Sequence, residues 1–297
     1  MKNKIKSMVN DRVNSYVGKP KNDRNQLKEE EQLLINRKTD LFKKRNAEIV
    51  KCAAKGQIIG QNRIEPEDIT KVDYIVHLQF LIRQNEQLYV EEHCEERKAI
   101  FQASELIDDY YTLQQKKDHV HKSLDRTIDL DERISFKYDR LAAVRYAETW
   151  WNSYNPKFKK FEVDCTNFIS QCLYAGKAPM IGYPNRNKGW WMRDNNWSYS
   201  WSVAHALRWY LSGAKVGLRG KEVESPKDLL LGDVICYDFQ GDGRFDHNTI
   251  VVAKDTEDMP LVNAHTYNSR MRYWSYEDST AYTPDINYKF FRIVDDQ

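Results

Sequence analysis

The stretch Glu162-Val163-Asp164-Cys165-Thr166-Asn167-Phe168-Ile169-Ser170-Gln171-Cys172-Leu173 reads as the start of a helix. Asp164 is a residue type that caps helix N-termini, and Phe168, Ile169, Cys172 and Leu173 recur at three- and four-residue steps to make an inward face. Cys165 therefore falls in the first turn. There the unpaired backbone N–H groups and the positive end of the helix dipole favour thiolate over thiol, and the same groups can hold a developing oxyanion. From position alone two readings stand side by side, a nucleophile and a buried structural cysteine.

Downstream, Leu230-Leu231-Gly232-Asp233-Val234-Ile235-Cys236-Tyr237 predicts a strand entered through Gly-Asp. Asp246-His247-Asn248-Thr249-Ile250-Val251-Val252 predicts a strand with His247 at its mouth, and Gln240-Gly241-Asp242-Gly243-Arg244 makes the turn between them. A third strand near Leu261-Val262-Asn263-Ala264-His265 carries Asn263 and His265 two apart, hence on one face. Either can orient an imidazole, the third role in a Cys–His–polar arrangement. Upstream, Leu141, Val144, Ala147 and Trp151 predict a helix from Tyr138 that Asn155-Pro156 stops.

The Asp-Cys-Thr-Asn-Phe-Ile-Ser-Gln run at 164–171, the Gly232-Asp233-Val234-Ile235 strand entry, the Gly-Asp-Gly turn and Asp246-His247 together resemble the putative amidase domain family. That family is related to the NlpC/P60 and CHAP peptidoglycan amidases and endopeptidases, and the likeness covers about residues 137–297. It implies an α+β, papain-like fold with a nucleophile helix packed on an antiparallel sheet. It also implies amide hydrolysis through a thioester, with Cys165 as nucleophile and His247 as general base. For the third residue it favours His265, as in NlpC/P60 domains, ahead of Asn263, as in CHAP enzymes. Tyr154, Asn155 and Asp164 are the oxyanion-side or orienting candidates. No cofactor is implied, and the substrate is an amide- or peptide-containing molecule, with peptidoglycan-type peptides one case. A catalytically silent peptide- or glycan-binding module with the same fold is the alternative.

A wall-cleaving enzyme is exported, whereas Met1-Lys2-Asn3-Lys4-Ile5-Lys6-Ser7 is followed by no apolar run. This start predicts neither signal peptide nor membrane span and a cytoplasmic location, with export by another route left open. The 46 basic and 44 acidic side chains leave a formal charge of +2, so no overall field favours nucleic acid or membrane. The five cysteines are an odd number without a CxxC pair, which predicts reduced thiols. Oligomeric state is not legible.

The first half reads as a separate helix-plus-antiparallel-sheet domain over 25–130, after a flexible basic start at 1–24. Leu27, Leu34, Leu41 and Ile35, Phe42, Ile49 recur at sevens and predict a helix from about Gln26 to Ala54. Period two then takes over from Val72 to Ile82 and from Leu88 to Cys94, broken at Asn85-Glu86-Gln87, with a further pair at Lys98–Gln102 and Leu106–Leu113. The polar segment Asp125–Glu132 is the expected linker.

Other features take blander readings. Asp238, Gln240, Asp242, Gly243 and Asp246 match part of a Ca²⁺ loop, but Thr249 stands where a Glu ligand is needed, so a hairpin turn is favoured. His119 and His121 lack partner ligands nearby, and His205 reads as a packed or surface histidine. Trp190, Trp191 and Trp197 lie in loop-like surroundings and are candidates for a substrate groove, although most tryptophans are core.

Overall fold

The computed structural model describes residues 1–19, 27–112 and 135–295. The chain divides into two compact units, the first comprising Met1–Leu113 with Tyr276–Thr280 and the second the remainder. The expected linker at 125–132 and the His119/His121 pair lie outside the described residues.

In the first unit α1 spans Lys2–Tyr16 and α2 Glu29–Lys44, followed by strands β1 (Ala47–Ile64), β2 (Ile69–Gln84), β3 (Gln87–Gln102) and β4 (Glu105–Tyr111). The strands form an antiparallel meander in chain order. Strand β2 shows why: Val72, Tyr74, Val76, Leu78, Phe80 and Ile82 alternate with more exposed residues and are all buried. They pack with Ile5, Met8, Val9, Ile35 and Phe42 from the helices, and each buried side chain is worth roughly 1.5–3 kcal/mol. Two expectations are corrected here. The basic start is a helix, because Ile5, Met8, Val9, Arg12 and Tyr16 fall on one buried face between the lysines. The second helix stops at Lys44 because Asn46 turns the chain at φ 53°, so Ile49 belongs to a strand.

Polar groups are buried in this unit as well. Arg97, almost wholly enclosed, pairs with Glu31 and Asp109, while Arg12 bonds Glu95 at 2.9 Å. Lys38 pairs with Glu91 and lies 2.9 Å from Asp278. Buried charges are tolerated when paired in this way.

The second unit contains α3 (Arg140–Trp150), α4 (Cys165–Ala175), the two-residue strands β5 (Met192–Arg193) and β6 (Asn196–Trp197), α5 (Tyr199–Ser202), α6 (Ala204–Gly213), β7 (Arg219–Val223), β8 (Val234–Asp238), β9 (His247–Lys254), β10 (Pro260–Ala264), β11 (Ser269–Tyr273) and β12 (Asn287–Val294). Its antiparallel sheet runs β11-β10-β9-β8-β12-β7. This is a mixed α and β architecture with a large antiparallel sheet. Helices α3, α4 and α6 pack on β9. The core between them holds Phe168, Ile169, Cys172 and Leu173 of α4 with Val234, Cys236, Ile250, Val252 and Phe291 of the sheet. Helix α4 is buried on every side from Cys165 to Leu173, and it ends at Gly176, where a Cβ would lie 2.3 Å from the Tyr138 ring. The Gly232-Asp233 entry to β8 is pinned: Asp233 accepts from Arg140 at 2.6 Å, from the Leu230 amide at 2.7 Å and from the Ile293 amide at 2.9 Å.

Candidate active site

Cys165 opens α4 and is 1% exposed. Its backbone N–H donates to Thr266 Oγ1 at 3.2 Å, and the Asp164 N–H reaches the same oxygen at 3.3 Å. The sulfur lies 3.7 Å from Thr166 Oγ1. Burial pushes the thiol above its ordinary range, and it outweighs hydrogen bonding from the Thr166 and Thr266 hydroxyls and from the backbone at Asn248 and Thr166. Burial thus works against the thiolate that a helix start favours.

Asp164 stands at the N-cap, but its side chain does not cap the helix. Oδ1 accepts from the Phe161 amide and from Asn167 Nδ2, both at 2.9 Å, and Oδ2 lies 2.8 Å from His265 Nδ1. His265 Nε2 lies 2.7 Å from the Trp150 carbonyl oxygen. The ring is thus held between the residue that precedes the cysteine and the last residue of α3. The ring stacks on Phe168 at 3.9 Å, and the Tyr154 ring meets it edge-on at 5.0 Å. Two dipeptides thus dock on each other, Asp164 against His265 and Cys165 against Thr266.

Strand period decides where His247 goes. Asn248 Nδ2 donates to Thr166 Oγ1 at 3.1 Å, and Ile250 and Val252 join the core under α4. His247 is one residue out of step and faces the other side of the sheet. Its ring packs near Tyr237 at 5.7 Å and Phe239 at 6.1 Å. Burial, with Arg272 adding to it, pulls the imidazole down to about 3, so the ring is neutral. The structure does not bring His247 to Cys165, and among the described residues no imidazole hydrogen-bonds the sulfur. Asn248 takes the facing position instead. Its side chain is fully enclosed, and its Oδ1 has no hydrogen-bond partner. Amide O and N are interchangeable by a flip, so this end presents either an acceptor or an NH₂ donor near the cysteine.

Asn263 shares the helix-side face with His265. Its Nδ2 donates to Glu148 Oε1 at 2.8 Å and its Oδ1 accepts from the Met271 amide at 2.9 Å, contacts that fasten α3 and β11 to β10. Asn155 Nδ2 donates to the Tyr146 hydroxyl at 3.0 Å, and Tyr146 bonds Gln171 of α4. Trp190 and Trp191 are 0% and 1% exposed, which corrects their reading as groove residues: their indole N–H groups donate to Ser170 Oγ and to the carbonyls of Asn185 and Lys188. Trp197 is half-buried, with Lys159 4.6 Å and Arg186 5.1 Å from its ring centroid.

The loop between β8 and β9 is a hairpin connection. Asp238 accepts from the Gly241, Asp242 and Gly243 amides, so its oxygens are spent on the turn. Asp246 is raised to about 6 by burial and by its acidic neighbours Asp242 and Asp238. The one described group of side chains spaced for a metal is Glu91, His93 and Asp278, and the Lys38 ammonium already pairs with Glu91 and Asp278. Thr266 and Asn248 are the residues the sequence did not reveal. Thr266 holds φ at 79°, a backbone region that β-branched residues avoid, so nothing in its type marks it.

The second unit thus sets a cysteine at a helix start beside an acid–imidazole contact on an antiparallel sheet. The chain belongs to the family described as "Putative amidase domain", which matches residues 137–291. It is 52% identical over 271 residues to "Uncharacterized protein YhbB" of Bacillus subtilis strain 168, covering 89% of this chain and 86% of that protein. It is 33% identical over 126 residues to "Uncharacterized protein YjcM" of the same organism, covering 39% of this chain and 28% of that protein. No solved structure matches. Among the described residues, no helix is long and apolar enough to cross a membrane.

Proposed function

We propose that the second unit hydrolyses amides through Cys165, with His265 as the proton-carrying group and Asp164 as its partner. The observation that carries this reading is the 2.8 Å Asp164–His265 contact, formed by the residue that precedes the cysteine. The thiol passes its proton to the imidazole as sulfur bonds the carbonyl carbon and the C=O electron pair moves onto oxygen. Backbone N–H groups of the first turn of α4, with the Asn248 amide, hold that oxygen. The tetrahedral species collapses, the C–N bond breaks, and His265 protonates the leaving amine. Water then attacks the thioester and releases the acid and the thiol. Because Cys165 is enclosed, substrate entry displaces the turn around Thr266, which also frees His265 from the Trp150 carbonyl.

The chain order of α4, β8, β9 and β10 supports a papain-like, NlpC/P60-related ancestry, and peptide amides, including peptidoglycan-type peptides, are the substrate class this ancestry suggests. A catalytically silent binding module is the second reading, favoured by the full burial of the thiol.

The test is an assay of acyl p-nitroanilides with acid-quench mass spectrometry on the wild type and on Cys165→Ala, His265→Gln and His247→Gln. An acyl adduct on Cys165, and turnover lost in the first two variants but kept in the third, is the expected result. Loss on changing His247 alone moves the base role there. No adduct and no turnover with any probe, in a protein that binds them, favours the silent module.

A further inference from the structure

Arg208, on α6, is 9% exposed, and its Nε and Nη1 are fully enclosed without a hydrogen-bond partner. No carboxylate pairs with it among the described residues. The guanidinium lies 3.7 Å from the centroid of the Trp209 ring and 5.4 Å from that of Phe245, which stabilises the charge through the ring faces but accepts none of its in-plane N–H bonds. A buried cation with unmet donors is costly unless something else supplies the acceptors.

The surroundings are also short of acceptors. The Trp209 indole N–H points at His205 Nε2 at 3.0 Å, and the Phe245 amide points at His205 Nδ1 at 3.2 Å. Burial and the nearby Arg244 and Arg208 hold this imidazole neutral, and a neutral ring offers one lone pair to the two donors. The acidic neighbours are committed elsewhere: Asp238 to three amides of its own hairpin, and Asp242 to the Arg244 amide. The sheet links this place to the cysteine: α6 packs on α4 and β9, and Asn248 of β9, which pairs with Cys236 of β8, donates to Thr166 next to Cys165.

We propose that Arg208 anchors a carboxylate subsite, so that the substrate is an amide carrying a carboxylate bound in two-point fashion by the guanidinium edge. A fork of parallel N–H donors fits a carboxylate better than any neutral group. This rests on the amide-hydrolase reading for its link to catalysis, but the binding itself needs no turnover.

The experiment uses the full chain and two probes, N-acetylglycine and its neutral counterpart N-acetylglycinamide, followed by the indole N–H resonance of Trp209, whose ring lies against the guanidinium and is kept in every variant. A saturable shift with the acid, about tenfold or more weaker with the amide and in Arg208→Gln, is expected, in keeping with a charge-assisted bidentate contact. Cys165→Ala should bind the acid as the wild type does, so failure of the nucleophile assignment leaves this result standing. Equal binding of both probes, no shift with either, or undiminished binding of the acid by Arg208→Gln overturns the proposal. If Arg208→Gln does not fold, the two-probe comparison on the wild type decides. Arg208→Lys, which keeps the charge and loses the fork, should then bind the acid more weakly than the wild type.

Discussion

Nδ1 of His265 lies 2.8 Å from Oδ2 of Asp164, and this contact joins the turn after β10 to the residue that launches α4. Both side chains are almost completely enclosed, at 2% and 1% exposure. Replacing one member leaves the other buried polar group without its partner. Asp164→Asn and His265→Gln should each destabilise by about 1–3 kcal/mol, and the double variant by clearly less than the sum. Urea unfolding of the four proteins checks this, and strict additivity would show that the two groups act independently.

Thr266 separates hydroxyl from branching. Thr266→Val keeps the shape but removes the acceptor shared by the Asp164 and Cys165 amides, at an expected cost of about 1–3 kcal/mol. Thr266→Ser keeps the acceptor and relieves the branched side chain at φ 79°, so its stability should stay within about 0.5 kcal/mol of the wild type. Equal melting of the two variants would deny the hydroxyl this role.

His247 makes an acid-sensitive contribution. Its folded value of about 3 lies below the unfolded value of 6.5, so between these limits the unfolded chain holds a proton that the folded one lacks. The stability from this group is complete above the unfolded value and is lost as pH falls, at about 1.4 kcal/mol per unit. The stability gap between wild type and His247→Gln should therefore shrink as pH drops from 6.5 toward 3, read from denaturant midpoints along a pH series. A constant gap would mean that the imidazole is not held neutral.

The thiols should label in an order opposite to that expected of an activated nucleophile at rest. Cys94 is the one cysteine that is not buried, although its thiol is pushed up to about 11 by burial and by Glu92 and Glu95. Iodoacetamide at mildly alkaline pH, with mass mapping, should find Cys94 modified before Cys165 in the unliganded protein. Faster modification of Cys165 would mean that the turn over it opens readily without substrate.

Much of the second unit is written in its sequence. Phe168, Ile169, Cys172 and Leu173 announce α4, and Gly232-Asp233 announces β8 because glycine and a capping carboxylate have few other uses there. The facing of β9 is not legible, since Ile250, Val251 and Val252 are all apolar and buried on both sides, so period two gives no sign. Whether His247 or Asn248 meets the cysteine is decided by pairing with β8, where His247 opposes Tyr237. Tertiary pairing also explains Asp164: its type suits a helix cap, but an imidazole 101 residues away competes for the oxygen and takes it. In the first unit the heptad spacing ran past the real helix end, because Ile49 keeps the interval by coincidence while Asn46 has already turned the chain.

The docking of Asp164-Cys165 on His265-Thr266 has a consequence for biosynthesis. As the polypeptide leaves the ribosome, the cysteine emerges about a hundred residues before the turn that encloses it, and synthesis at roughly 5–20 residues per second leaves it uncovered for several seconds. During that interval the partner that will hold the Asp164 and Cys165 amides has not yet been made, and the start of α4 acquires its final surroundings only once Thr266 has followed.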